Sequence, residues 1–334
     1  MRINCVVLVL SLALIIRQCV GEPARPEEFP FFATLLYKNR GVCGAVLYTT
    51  TRLVATCHCL VTDNSGLFRP PHSLKRAADV TVDMGNDGDR PTGMLRVASS
   101  IAVHPECECT KRSLFYDFGV IELNEPMVLQ EGIIAVAPIL EEHLAIRQAL
   151  ENPSDYWCVL LDFSIIKRKV GFDLGSLEKS DVTLETFAWC KFHYSSENKN
   201  VDYNEEVQTC SNSYESPCRE PDLGGAVLCA NSKDAPRKLA VAMLSGRNHP
   251  YCGKYFHFPV KEAYARMDAA VKWLQTWVPP PTTSTSSPVT DETGSIPTRK
   301  STTHKDCGTS RASHSSHVFL WYTITFLPSY SLMF

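Results

Sequence analysis

At 334 residues, 44% of them hydrophobic, the chain is large enough to bury a real core as one sizeable all-β domain or two average ones. Its net charge of -3 and the lack of a long basic run give no argument for a nucleic-acid footprint or for an acidic substrate surface.

The first predicted element is a secretory signal peptide over residues 1–21. Arg2 supplies the positive start, Cys5 to Ile16 is an apolar run, and Cys19-Val20-Gly21 offers small residues at the cleavage-determining positions. The mature chain is then expected to begin near Glu22. Export into an oxidising compartment turns cysteines into disulfides, and the chain has fourteen. Cys5 and Cys19 lie in the signal and Cys307 far downstream, which leaves eleven between Cys43 and Cys252. An odd number requires at least one unpaired thiol or an intermolecular bridge.

From Phe29 to Cys252 short apolar runs alternate with Gly, Pro, Asn and Asp, as in "GAVLY", "RLVAT", "FGVIEL" and "KLAVAML". They read as strands of an antiparallel barrel or sandwich. The stretch "VKEAYARMDAAVKWLQTW" reads as a late helix, because Ala265, Met267, Ala270, Val271, Leu274 and Trp277 recur near helical spacing before Pro279. After it, residues 279–306 are rich in Pro, Ser and Thr and poor in large apolar side chains, the composition of an extended, O-glycosylated stalk. Residues 307–334 are expected to be a glycolipid-anchor signal. Small residues at Asp306-Cys307-Gly308-Thr309-Ser310 precede a polar spacer, and a removable apolar tail follows from Val318. A transmembrane anchor is the alternative, for which the tail is short and lacks a basic flank. Either arrangement sets the domain on the extracellular face of the plasma membrane.

Three stretches carry the chemistry. In "GVCGAVLYTTTRLVATCHCLV", residues 41–61, His58 stands between Cys57 and Cys59. Taken alone it is equally a structural histidine or part of a metal-ligating cluster with Cys57, Cys59 and Cys107 or Cys109. "HPECECTKRSLFYDFGVIEL", residues 104–123, contains Asp117, and "CREPDLGGAVLC", residues 218–229, contains Leu223. In order and spacing these stretches resemble the histidine, aspartate and serine segments of the trypsin-like serine proteases. The resemblance covers residues 22–278 and implies an all-β, chymotrypsin-like double antiparallel β-barrel with a C-terminal helix, without metal or cofactor.

Carried over residue by residue, the resemblance puts His58 at the general base and Asp117 at the carboxylate that orients it. It implies the disulfides Cys43–Cys59, Cys158–Cys229, Cys190–Cys210 and Cys218–Cys252. Cys57, Cys107 and Cys109 are left over, and Cys57 can bridge to either of the other two. Ser245, Gly246 and Arg247 match the wall of the specificity pocket, with Ser216 or Glu215 at its floor.

The departures from the family are as informative. Its Cys-x-Gly-Asp-Ser-Gly-Gly-Pro loop is here Cys218-Arg-Glu-Pro-Asp-Leu-Gly-Gly-Ala, one residue longer. Leu223 takes the serine's place and has no atom that can attack a carbonyl. Pro221 takes the place of a glycine whose N–H helps build the oxyanion hole, and proline has no N–H. Asp222 remains, but "RQCVGEP" at the signal exit offers no activation site to liberate its partner amine. The expectation is a catalytically inactive cell-surface homologue that binds a protein partner. The alternative is an endopeptidase with a non-standard nucleophile, for which Cys57 beside His58 is the candidate.

Overall fold

The structure is a computed structural model that describes residues 22–62, 69–85, 93–109, 113–167, 172–195, 202–212, 224–233, 235, 237–247 and 262–279. The chain opens with β1 (Glu22–Pro23), β2 (Phe32–Tyr37), β3 (Arg40–Leu47), β4 (Arg52–Ala55), β5 (Val80–Met84) and β6 (Met94–Val103). A short ribbon of β7 (Glu108–Cys109) and β8 (Leu114–Phe115) precedes β9 (Gly119–Leu123). Then come helix α1 (His143–Glu151), β10 (Trp157–Lys167), β11 (Phe172–Val182) and helix α2 (Phe187–Ser195). The domain finishes with β12 (Gln208–Ser211), β13 (Ala226–Ala230), β14 (Leu239–Arg247), β15 (Glu262–Arg266) and helix α3 (Met267–Thr276).

Strands β2-β3-β4-β9-β6-β5 close into an antiparallel barrel. A second set forms a seven-stranded antiparallel sheet in the order β1-β11-β10-β13-β14-β15-β12. The all-β expectation and the closed barrel are thus met, and the second strand set is a sheet among the described residues. Register is pinned at the β2–β3 hairpin by Lys38 and Asn39, both at positive φ (51° and 62°), the geometry that matches the twist of a two-residue hairpin loop.

The unbroken apolar runs have a physical reason. Side chains alternate across a strand, and here both faces are covered. On β3, β4 and β9, Ala45, Leu47, Leu53, Ala55 and Ile121 enter the barrel interior. Their neighbours Val46, Val54 and Val120 join a second core with Leu160, Leu228, Val241 and Met243 of the sheet and Met267, Ala270 and Leu274 of α3. β5 instead alternates, burying Val80, Val82 and Met84 and leaving Thr81 and Asp83 partly exposed.

The C-terminal helix exists but starts later than its periodicity predicts. Residues 262–266 are strand β15, every one of them buried, paired with β12 on one side and β14 on the other. Two hydrogen-bonded neighbours outweigh the helix preference of Glu, Ala and Arg, good helix formers whose propensity is worth only about 0.5 kcal/mol each. Arg266 is extended (φ −76°, ψ 126°), and its guanidinium bonds to Asp268 in the first turn of α3. The expected signal peptide, the expected stalk beyond Pro279 and the expected anchor signal lie outside the described residues. Among the described residues, no helix is long and apolar enough to cross a membrane.

Candidate functional site

The site forms where the chain leaves β4. Residues Cys57–Cys59 make one 3₁₀ turn, with Leu60 N–H returning to Cys57 O at 2.8 Å. Cys57 and His58 therefore lie on a helical turn and not on a strand, where neighbouring side chains would point to opposite faces. Both flanks of the histidine are cross-linked. Cys59 is bonded to Cys43 of β3, and Cys57 to Cys107, with Cα–Cα separations of 6.1 and 6.6 Å. The open choice for Cys57 thus resolves to Cys107.

Asp117 faces this turn from the residues just before β9 and is 1% exposed. Its Oδ2 accepts from His58 Nδ1 at 2.8 Å and its Oδ1 from the His58 backbone N–H at 3.0 Å. One carboxylate therefore fixes both the main chain and the ring of His58. With Nδ1 donating, Nε2 is left as the acceptor, the tautomer a general base needs. Thr56, not singled out by the sequence reading, places Oγ1 3.4 Å from Nε2 and 2.9 Å from Cys59 Sγ. A single hydroxyl proton serves one of these acceptors at a time. Thr56 is fully buried, so it takes part in holding the ring and cannot meet a substrate.

Asp117 is aimed by its predecessor. Tyr116 adopts φ 49°, in the left-handed region that non-glycine residues seldom occupy, and its carbonyl accepts from Phe118 N–H at 2.6 Å. The ring is held by stacking on His104, with centroids 4.5 Å apart and planes at 8°, while His104 meets Trp273 of α3 edge-on at 5.3 Å. Burial lowers the pKa of His104 and favours its neutral ring. His104, Tyr116 and Trp273 are supports for the site that the motifs alone do not reveal.

The sheet approaches the same turn through Gly224 and Gly225, which lead into β13. Gly224 has φ 62°, and a methyl group there would lie 3.1 Å from Cys59 Sγ and 3.2 Å from both Thr56 Oγ1 and Gly44 O. The glycine pair is thus what lets this loop reach the His58 turn. The preceding residue in the chain is Leu223. Leu223, Asp222, Pro221, Ser216, Glu215, Cys218 and Cys252 all lie outside the described residues, as does the side chain of Cys109.

Of the pocket-wall residues, Ser245 is buried at a bulge in β14, and its hydroxyl makes no hydrogen bond among the described residues. Gly246 and Arg247 pair with Ala263 and Glu262 of β15. Glu262 is a further unforeseen residue, a carboxylate 9% exposed that accepts from the Tyr264 hydroxyl and, at 3.3 Å, from Ser211 Oγ.

Cys158 pairs with Cys229 across β10 and β13, and Cys190 of α2 with Cys210 of β12. With the two bridges beside His58 these make four disulfides among the described residues, matching three implied pairs and adding Cys57–Cys107. Among the described residues, the cysteine sulfurs near His58, those of Cys43, Cys57, Cys59 and Cys107, are consequently tied up in bridges. Cys43 and Cys59 lie within ligand distance of His58, and Cys57 and Cys107 of His72, but a disulfide sulfur is not the thiolate a metal requires. The same bridge removes Cys57 as a nucleophile. The chain matches no protein-family profile and no curated protein sequence.

Proposed function

We propose that this chain is a catalytically inactive homologue of the trypsin-like serine proteases, built on their double-barrel plan, that works as a protein-binding module on the outer cell surface. One observation carries the reading. A His58–Asp117 pair with the geometry of a general base sits in a turn whose Thr56 and Cys59 lie against Gly224, and the chain places a leucine immediately before that glycine. With leucine at the nucleophile position the base has no substrate-facing hydroxyl or thiol there to deprotonate, and acyl transfer cannot start. Pro221 withdraws an oxyanion-hole donor as well, an interaction worth about 3 kcal/mol in the transition state. The closed barrel, the partner sheet and the four bridges support the assignment to this fold.

The test is a serine-directed fluorophosphonate probe with peptide-cleavage assays in parallel. The expected result is neither labelling nor turnover, and Leu223→Ser alone is expected to leave turnover absent because Pro221 still lacks its N–H. Stoichiometric labelling of the unmodified protein that disappears in His58→Ala would overturn the reading, as would trypsin-like turnover by Leu223→Ser.

The surface location rests on the Pro/Ser/Thr-rich segment from Pro279 and the apolar run from Val318. A phosphatidylinositol-specific phospholipase is expected to release the protein from intact cells. Peptides from 319–334 recovered from the mature protein would instead assign a transmembrane tail.

A further inference from the structure

The tip of the β2–β3 hairpin and the segment 74–79 form a face that the His58 site does not use. Lys38 and Arg40 are exposed at the tip, Arg40 directly opposite Tyr37 in the register. Lys38 N–H donates to Asp79 O at 2.9 Å and fastens the tip to the segment. From that segment Lys75 reaches back, its Nζ donating to Cys59 O at 2.5 Å and lying 5.4 Å from the centre of the Tyr37 ring. Lys38 Nζ lies 5.2 Å from the same ring. Two ammonium groups thus share one aromatic side chain.

The charges here are unbalanced. Arg76, its side chain 76% exposed, pairs with Asp79, the one carboxylate that the described contacts bring to this face. Among the described residues, Lys38, Arg40 and Lys75 form no ion pair with a carboxylate. Four cations against Asp79 give a local excess of three positive charges on a chain whose net charge is -3. Burial brings the Lys75 pKa down to about 8, the mark of an ammonium short of solvent. The half-buried Tyr37 ring lies under Lys38 and Lys75, and Leu74, which precedes Lys75 in the chain, is one of the exposed large apolar side chains.

We propose that this face docks an acidic protein segment bearing an apolar anchor, its carboxylates meeting Lys38, Arg40, Lys75 and Arg76 and its anchor resting on Tyr37 and Leu74. The apolar centre is what favours a peptide over a sulfated glycan, since a glycan would use the cations and leave Tyr37 and Leu74 unsatisfied. The proposal does not depend on whether the His58 cleft is catalytic, because none of these side chains belongs to the His58–Asp117 pair or to the loop before Gly225.

The experiment measures fluorescence anisotropy of a labelled peptide, Gly-Asp-Glu-Phe-Asp-Glu-Leu-Glu-Gly, with the full-length protein. Binding is expected, and raising ionic strength from about 0.1 M to about 1 M should weaken it about tenfold as the screening length falls from about 10 to about 3 Å. The exposed-tip variant Lys38→Glu/Arg40→Glu should keep its thermal melt and lose at least about tenfold in affinity, by charge reversal at the interface. Lys75→Met should weaken binding in the same direction. Replacing Phe and Leu of the peptide by Gly should also cost about tenfold, by loss of apolar burial. No binding, or unchanged binding by the tip variant, would overturn the proposal. So would heparin competing while the Gly-substituted peptide binds as well as the parent, which would show a general polyanion site.

Discussion

Gly225→Ala is expected to lower the free energy of unfolding by about 3 kcal/mol, the upper part of the range for forcing extra atoms into a packed site. Gly225 enters β13 beside β10. A methyl group on it would overlap the carbonyl oxygen of Leu161 and sit 3.3 Å from Leu160 Cδ1 and 3.5 Å from Asp162 Cβ. The overlapped atom is backbone, held in the β10–β13 ladder where Leu161 pairs with Ala226, so no rotamer change relieves it. Gly132 provides the contrast. It has φ 71° but nothing within 4 Å of an added methyl, so Gly132→Ala carries only the conformational penalty of about 1 kcal/mol. Urea unfolding of both variants checks the pair. Equal midpoints would mean that the β10–β13 contact yields and that the steric argument is wrong.

The second large effect is expected from Cys57→Ala/Cys107→Ala. That bridge closes a loop with a sequence separation of 50, against 16 for Cys43–Cys59. Loop-closure entropy scales with the logarithm of length, which gives about 4 kcal/mol for the longer loop and about 3 kcal/mol for the shorter. The sulfurs also form part of a small apolar cluster with Val61, Leu114, Cys190, Tyr194 and Cys210, so their loss should loosen α2 as well. Chemical denaturation of the two double variants should rank Cys57/Cys107 as the more damaging. The reverse ranking would show that native-state packing at Cys43–Cys59, and not loop length, sets the order.

How much of this was readable beforehand follows from how local each signal is. His58 and Asp117 were found from short motifs, and the 2.8 Å bond between them brings together residues 59 positions apart. The barrel strands showed as apolar runs because both of their faces are buried. The start of α3 was misread because residues 262–266 fit a helical period equally well, and only the presence of β12 and β14 on either side makes them a strand. Glu262 was hidden for the same reason, since inside a supposed amphipathic helix nothing marks it as buried. Helix α1 did carry a signal, Ile146, Ala149 and Leu150 buried at helical spacing, that the strand reading of this region passed over. Helix α2 carried little, with Trp189, Phe192 and His193 breaking any clean stripe, and the Cys190–Cys210 bridge anchors it to β12. Thr56 matters only because a 3₁₀ turn folds it back toward the ring, which no spacing rule anticipates.

The two bridges that bracket His58 have a consequence for how such a site is judged. Covalent anchors on both neighbours, together with two hydrogen bonds from one buried carboxylate, over-determine where the imidazole sits. Its pose is therefore a by-product of tertiary construction and would persist whatever stood opposite it. A well-formed histidine–aspartate geometry in this scaffold reports that the barrel has folded, and carries no information about whether a bond is ever broken there.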